Sequence, residues 1–158
     1  MTDDELTPEE YIKQAYLGEF GGEETFRAWA ELLPKRAESL NLLAEVEAAT
    51  AAYLKKYLLA AVDDEEVEGL RKFGRERAQE IAPATWSTML DMAEPIIDEA
   101  LVRFKAAEAT APLDLKPVYE HYTAHEQALA DFIKRERDGL DGNPILQKYL
   151  DSTALLMS

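Results

Sequence analysis

The chain has 158 residues, a formal net charge of −15 and no cysteine; 47 % of its residues are hydrophobic and 31 % charged. This length suits one domain with its own core, and the absence of cysteine excludes disulfides, thiolate metal sites and cysteine nucleophiles. So acidic a chain repels phosphate backbones and anionic bilayers, so the partners expected include no nucleic acid and no membrane. The opening MTDDELTPEE has no basic region and no apolar run, and no segment approaches spanning length, so a cytoplasmic location is the expectation.

Thr7-Pro8-Glu9-Glu10 is a helix start, with Thr7 as N-cap, Pro8 in the first helical position and Glu10 closing a capping box. The first core helix is expected over about 8–33, stopped by Pro34. Its inward stripe is Ile12, Tyr16, Glu19, Glu23, Phe26, Ala30 and Leu33, with Gly18, Gly21 and Gly22 alongside. The second is expected over 36–60, its stripe Leu40, Leu43, Glu47, Thr50, Leu54 and Tyr57. Asp63 to Glu66 places acidic residues where a helix N-terminus favours them and opens a weakly amphipathic helix over 65–81. Gly69, Gly74 and several basic residues mark it as a connector lying across the bundle.

The third core helix is expected over 84–109, with Leu90, Glu94, Ile97, Leu101 and Phe104 in line. Pro95 interrupts it, so either the helix kinks there or two shorter helices meet. Asp114 can cap the fourth core helix, 115–138, which carries the densest pattern. Val118, Tyr122, His125, Leu129 and Phe132 follow at steps of four, three, four and three, with Glu126 beside them. Gly139 and Gly142 end it, and Asn143-Pro144 opens a last helix over 144–157. No stretch alternates apolar and polar residues long enough for a strand. The expectation is an all-α fold of four core helices, with a long second-to-third connection that suits a crossover.

Each core helix carries a polar residue near its middle: Glu19 or Glu23, Glu47, Glu94 and His125. Packed side by side, these fall into one layer. Carboxylates and an imidazole converging in an apolar bundle suit a hard or intermediate metal, Fe or Mn above others. The competing reading is a core histidine bonded to Tyr16, Tyr53 or Glu126, with Glu23 or Glu94 turned to solvent. Other chemistries find less support. His125-Glu126 opens like the zinc-protease motif, but Leu129 stands at the second ligand position, and no phosphate loop or nucleophile elbow is present.

These residues resemble the ferritin-like superfamily, nearest the rubrerythrin type. Leu17–Phe26 (LGEFGGEETF) is similar to its first-helix glutamate motif, through Glu23 or Glu19. LLAEVEAAT is similar to the second-helix Glu-x-x-His segment, with Glu47 at the glutamate and Thr50 at the histidine. In the fourth helix His125 matches the histidine while Tyr122 takes the glutamate position; Glu94, or Glu99, stands for the third-helix carboxylate. The resemblance covers about residues 8–138 and implies one ferritin-like domain over 1–158. Its implied metal ligands are Glu19, Glu23, Glu47, Glu94, His125 and Glu126, with Tyr122 as a redox-capable neighbour. Two functions follow: a metal-binding, oxidase-like protein, or a non-catalytic helical module that has lost its metal. Tyr149, Leu150, Leu155, Leu156 and Met157 spread apolar surface around the last helix, so a homodimer or partner helix is expected there.

Overall fold

The computed structural model describes residues 5–158; Met1–Asp4, part of the opening read above as lacking a secretory signal, lies outside the described residues. Six α-helices and no strand occur among them: α1 (Pro8–Leu32), α2 (Ala37–Lys55), α3 (Asp64–Glu80), α4 (Trp86–Ala109), α5 (Lys116–Arg137) and α6 (Asn143–Met157). This pattern is compatible with four core helices plus a connector and a short C-terminal helix.

The capping box forms as the sequence dictates: the Glu10 amide donates to Thr7 Oγ1 (3.2 Å) and the Thr7 amide to Glu10 Oε2 (2.9 Å). Two expected caps differ. The residue before α5 is Leu115, with no side-chain cap, so Asp114 plays no such part. Asn143 is the first residue of α6 rather than its cap, and its Oδ1 accepts from the Ser39 hydroxyl at 2.7 Å. Gly139 takes φ 75°, the left-handed turn that ends α5. α2 stops at Lys55, short of the expected 60. Residues 56–63 are needed to turn the chain back, and they begin with tight turns such as Tyr57 N to Leu54 O at 2.9 Å. α4 begins two residues later than expected, at Trp86, with Thr85 Oγ1 accepting from the Thr88 amide at 3.1 Å. It runs through Pro95 as one helix. That proline is on the exposed face, where the carbonyl it leaves without a helical donor can reach water.

Side-chain pairs fix the helix directions. Tyr11 stacks on Tyr119 at 4.5 Å and Glu19 meets His125, so α1 and α5 run parallel. α2 returns antiparallel to α1, and α5 antiparallel to α4 (Thr123 to Phe104 O, Arg137 to Asp91). α2 and α4 therefore run the same way, and the chain must travel back the length of the bundle between them. α3 makes that return. It lies along α1 rather than across the bundle, pairing Lys13 with Glu66, Thr25 with Gly74 O and Trp29 Nε1 with Ala78 O. Its register depends on Gly74, whose missing Cβ would stand 2.5 Å from Gly21 O. Salt bridges from Arg71 to Glu23 (3.2 Å) and Glu24 (3.0 Å) add to the contact. α6 runs parallel to α2, burying Leu146, Tyr149 and Thr153, while Leu155, Leu156 and Met157 stay exposed.

The core divides into two apolar halves. One is built on Phe26, Leu40, Leu43, Met89, Phe132 and Leu146. The other is built on Tyr11, Ile12, Leu54, Phe104, Val118 and Tyr122. Along α1, α2 and α5 the gap between the two halves falls at Glu19 and Glu23, at Glu47 and Thr50, and at His125 and Glu126. A polar layer separates two greasy ones.

Candidate metal centre

His125 is the centre of that layer, 1 % exposed. Its Nδ1–H donates to the carbonyl of Tyr122, one turn back in α5, and this bond fixes the tautomer of a neutral ring. Nε2 therefore faces the layer, a donor to one carboxylate while the ring is protonated and a lone pair once that proton is lost. Around it stand Glu19 Oε1 at 3.3 Å, Glu47 Oε2 at 3.4 Å and Glu126 Oε2 at 3.3 Å. One ring nitrogen can satisfy one of three carboxylates at most. Glu19 Oε2 and Glu47 Oε2 are both buried without a hydrogen-bond partner, a costly condition for any polar atom.

The protonation pattern reflects that crowding. Burial, with the Glu47 and Glu126 carboxylates added to it, pushes the Glu19 carboxyl well above the ordinary range. Burial pushes Glu47 the same way, but the neighbouring Glu19 carboxyl and the His125 ring outweigh it and hold Glu47 low. Burial raises Glu126 to about 7, against the opposing pull of His125. For His125 burial favours the neutral ring, and the Glu47 carboxylate beside it with the Glu126 charge overcomes that, so the imidazole is raised. Tyr122 stacks on the ring at 4.7 Å, its phenol raised well above normal by burial and then by Glu19.

Glu19, Glu47 and His125 offer ligand atoms that all lie within 4.8 Å of one another, and all three are buried. The set can chelate a metal ion. A cation fits here for a reason of this structure: it would satisfy the two orphaned carboxylate oxygens and the Nε2 lone pair together. Space for Glu47 comes from Gly22, where a Cβ would stand 2.8 Å from Glu47 Oε1.

The other sequence-derived ligands are placed elsewhere, apart from Glu126 on the flank. Glu23 is buried but bonded to Arg71 at 3.2 Å and to Arg27 at 3.5 Å, so α3 holds it out of the layer. Glu94 is on the outer face of α4, with Arg137 Nε at 2.7 Å from its carboxylate. Its rival Glu99 is exposed, so α4 adds no carboxylate to the layer. Thr50, at the position read as an expected histidine, donates to Val46 O at 2.7 Å and accepts from Tyr149 O–H at 2.6 Å. Tyr149 on α6 was not among the site candidates. Nothing in its local sequence pairs it with Thr50, 99 residues away.

His121, spaced with His125 as a second ligand on one face, is not in the layer. Its ring packs against Tyr53 (4.4 Å) and Tyr149 (5.1 Å), and Nε2 donates to Thr153 Oγ1 at 3.0 Å. Burial, then the neighbouring His125 charge, lowers its pKa to about 4. The folded protein thus stays unprotonated at His121 where the unfolded chain, titrating near 6.5, takes up a proton. Stability falls as pH drops from about 7 to about 4. The full shift corresponds to about 3 kcal/mol, which solvent screening of a half-buried ring reduces to about 1–2 kcal/mol. Urea unfolding of wild type and the His121→Gln variant at pH 7 and pH 4.5 should show the variant losing less stability by about that amount. Equal losses would remove His121 as the source.

No helix among the described residues is long and apolar enough to cross a membrane. No protein-family model matches the chain, and no curated protein or solved structure matches it.

Proposed function

We propose that the protein is a single-metal-ion protein of ferritin-like descent, with Glu19, Glu47 and His125 as ligands and Glu126 as a flanking carboxylate. The observation that carries this reading is the Nε2 atom of His125. The Tyr122 carbonyl holds the other ring nitrogen, and Nε2 meets three carboxylates with two orphaned oxygens among them. Ligating histidines are commonly oriented by a bond at the other ring nitrogen. The parallel α2 and α4, joined by α3 along the bundle, support the ferritin-like crossover.

Iron or manganese is favoured by a donor set of carboxylates and one imidazole without sulfur. Such an ion would supply Lewis acidity and one-electron redox chemistry in a site shielded from bulk water, as an oxidase-like role requires. The chain's own part is defined by its protons. Burial favours the protonated form of Glu19, and Glu19, Glu47 and Nε2 must all be free of protons to bind, so uptake releases protons. Tyr122 holds its phenolic proton firmly and covers one face of the imidazole. The reading is of one ion rather than two. Thr50 and Tyr122 replace the histidine and glutamate a second ion would use, and Tyr149 occupies Thr50 with a hydrogen bond.

Anaerobic loading with Fe(II) or Mn(II), followed by desalting and elemental analysis, should give about one equivalent per chain. The melting temperature should rise, because a ligand bound only to the folded state stabilises it; at a hundredfold excess over Kd the gain is about 2.7 kcal/mol. Metal content near zero with unchanged melting would discard the centre and leave a helical module that works by association.

A further inference from the structure

Between α1, α3 and α4 there is a cleft of about 310 Å³. Its floor is the glycine face of α1, Gly18, Gly21 and Gly22, and its walls are mostly apolar, Trp29 and Phe73 among them. Pockets of this size and character hold small organic molecules, with a few polar groups fixing their orientation. Two ionisable side chains of opposite kind line it, Glu47 and Arg77, along with the Thr25 hydroxyl. Glu47 sits against Gly22. Arg77 sits at the level of Trp29, whose indole donates to the next carbonyl of α3, that of Ala78. Residues 22 and 29 are seven apart on α1, so about 10 Å separates the two levels.

Arg77 is distinct from the other arginines of α3. Arg71 and Arg75 are committed to Glu23, Glu24 and Glu68. Among the described residues Arg77 has neither an ion pair nor a side-chain hydrogen bond. A second cleft on its outer side is lined by Glu76 and Glu80 and repels anions, which leaves the apolar cleft as the side open to one. A guanidinium at one end of a greasy slot matches a carboxylate joined to an apolar body.

We infer that the cleft binds a small monocarboxylic acid with an aryl or short alkyl body. The carboxylate pairs with Arg77, and the apolar end lies on the glycine face beside Glu47. Binding does not need the metal. The cleft and the proposed metal reading are therefore tested apart.

The probe is 4-phenylbutyrate, titrated calorimetrically into the full chain after treatment with chelator. Saturable binding is expected. Arg77→Gln should weaken it tenfold or more, as loss of a charged hydrogen-bonding partner does, while affinity for the neutral 4-phenylbutan-1-ol stays unchanged. Gly18→Leu should weaken both probes; Gly18 lines the cleft and a Cβ there meets nothing within 4 Å, so a larger side chain is added at the cleft without displacing the backbone. No saturable heat with millimolar acid, or an Arg77→Gln variant that binds the acid as well as wild type, would overturn the inference. Gly18→Leu binding at wild-type strength would also overturn it. Acid binding by a chain that takes up no metal supports the cleft and discards the metal reading. Metal uptake without acid binding overturns the cleft and leaves the centre.

Discussion

His125→Ala should abolish tight uptake of Fe(II) or Mn(II) and destabilise the metal-free protein by about 3–5 kcal/mol, the cost of removing one partner from a buried ionic cluster. Both effects come from one geometry. Nε2 is the only nitrogen among the three grouped ligands, and it also lies within 3.4 Å of an oxygen of each of Glu19, Glu47 and Glu126. Without it three buried acids face one another with no imidazole to share a proton. Leucine at 125 should not rescue stability. A lone buried histidine could be replaced by an apolar group of similar size at little cost, but this one has three carboxylates that would lose their partner. Metal analysis after loading and urea unfolding in chelator test the two effects separately. Wild-type stoichiometry in the alanine variant would exclude His125 as a ligand. Stability within about 0.5 kcal/mol of wild type, the scale of an ordinary surface substitution, would mean that the acids hold themselves together.

Much of this arrangement was readable from local pattern. The Thr7-Pro8-Glu10 start, the stripe through His125 and the mid-helix positions of Glu19 and Glu47 are properties of short windows. A polar residue in the middle of an apolar stripe must meet the others when stripes pack. What could not be read was which of two glutamates one turn apart enters the layer. Glu19 and Glu23 share a face of α1, and the choice is made by Arg71, 48 residues away in a helix whose docking site the sequence did not reveal. Glu94 was misplaced for the same reason: Arg137, 43 residues on, holds it at the surface. The direction of α3 was also hidden. Its residues are mostly charged and its hydrophobic pattern is weak, so periodicity reports little. Its position is set by close backbone approach, which depends on an absent side chain rather than a present one.

Gly74→Ala should therefore cost about 3 kcal/mol, the upper range for forcing an extra carbon into a packed contact. On helix propensity alone alanine would gain about 1 kcal/mol over glycine. The steric term is larger because of what the new carbon meets. Gly21 O, Cα and C would stand at 2.5, 2.9 and 3.1 Å, all backbone, none able to swing aside. α3 has to withdraw from α1, straining the Thr25 bond to Gly74 O at 3.3 Å and the Trp29 bond to Ala78 O at 3.1 Å. At roughly 2–4 °C per kcal/mol for a chain of this size, the melting temperature should fall by about 6–12 °C. Gly69→Ala in the same helix is the control. A Cβ there meets nothing within 4 Å, so propensity acts alone and the variant should gain about 0.5–1 kcal/mol. Opposite signs for two glycine-to-alanine changes five residues apart would establish that α3 is held by contact at Gly74. A neutral or stabilising Gly74→Ala would mean that α3 is not seated on α1 as described, and the cleft between them would lose its wall.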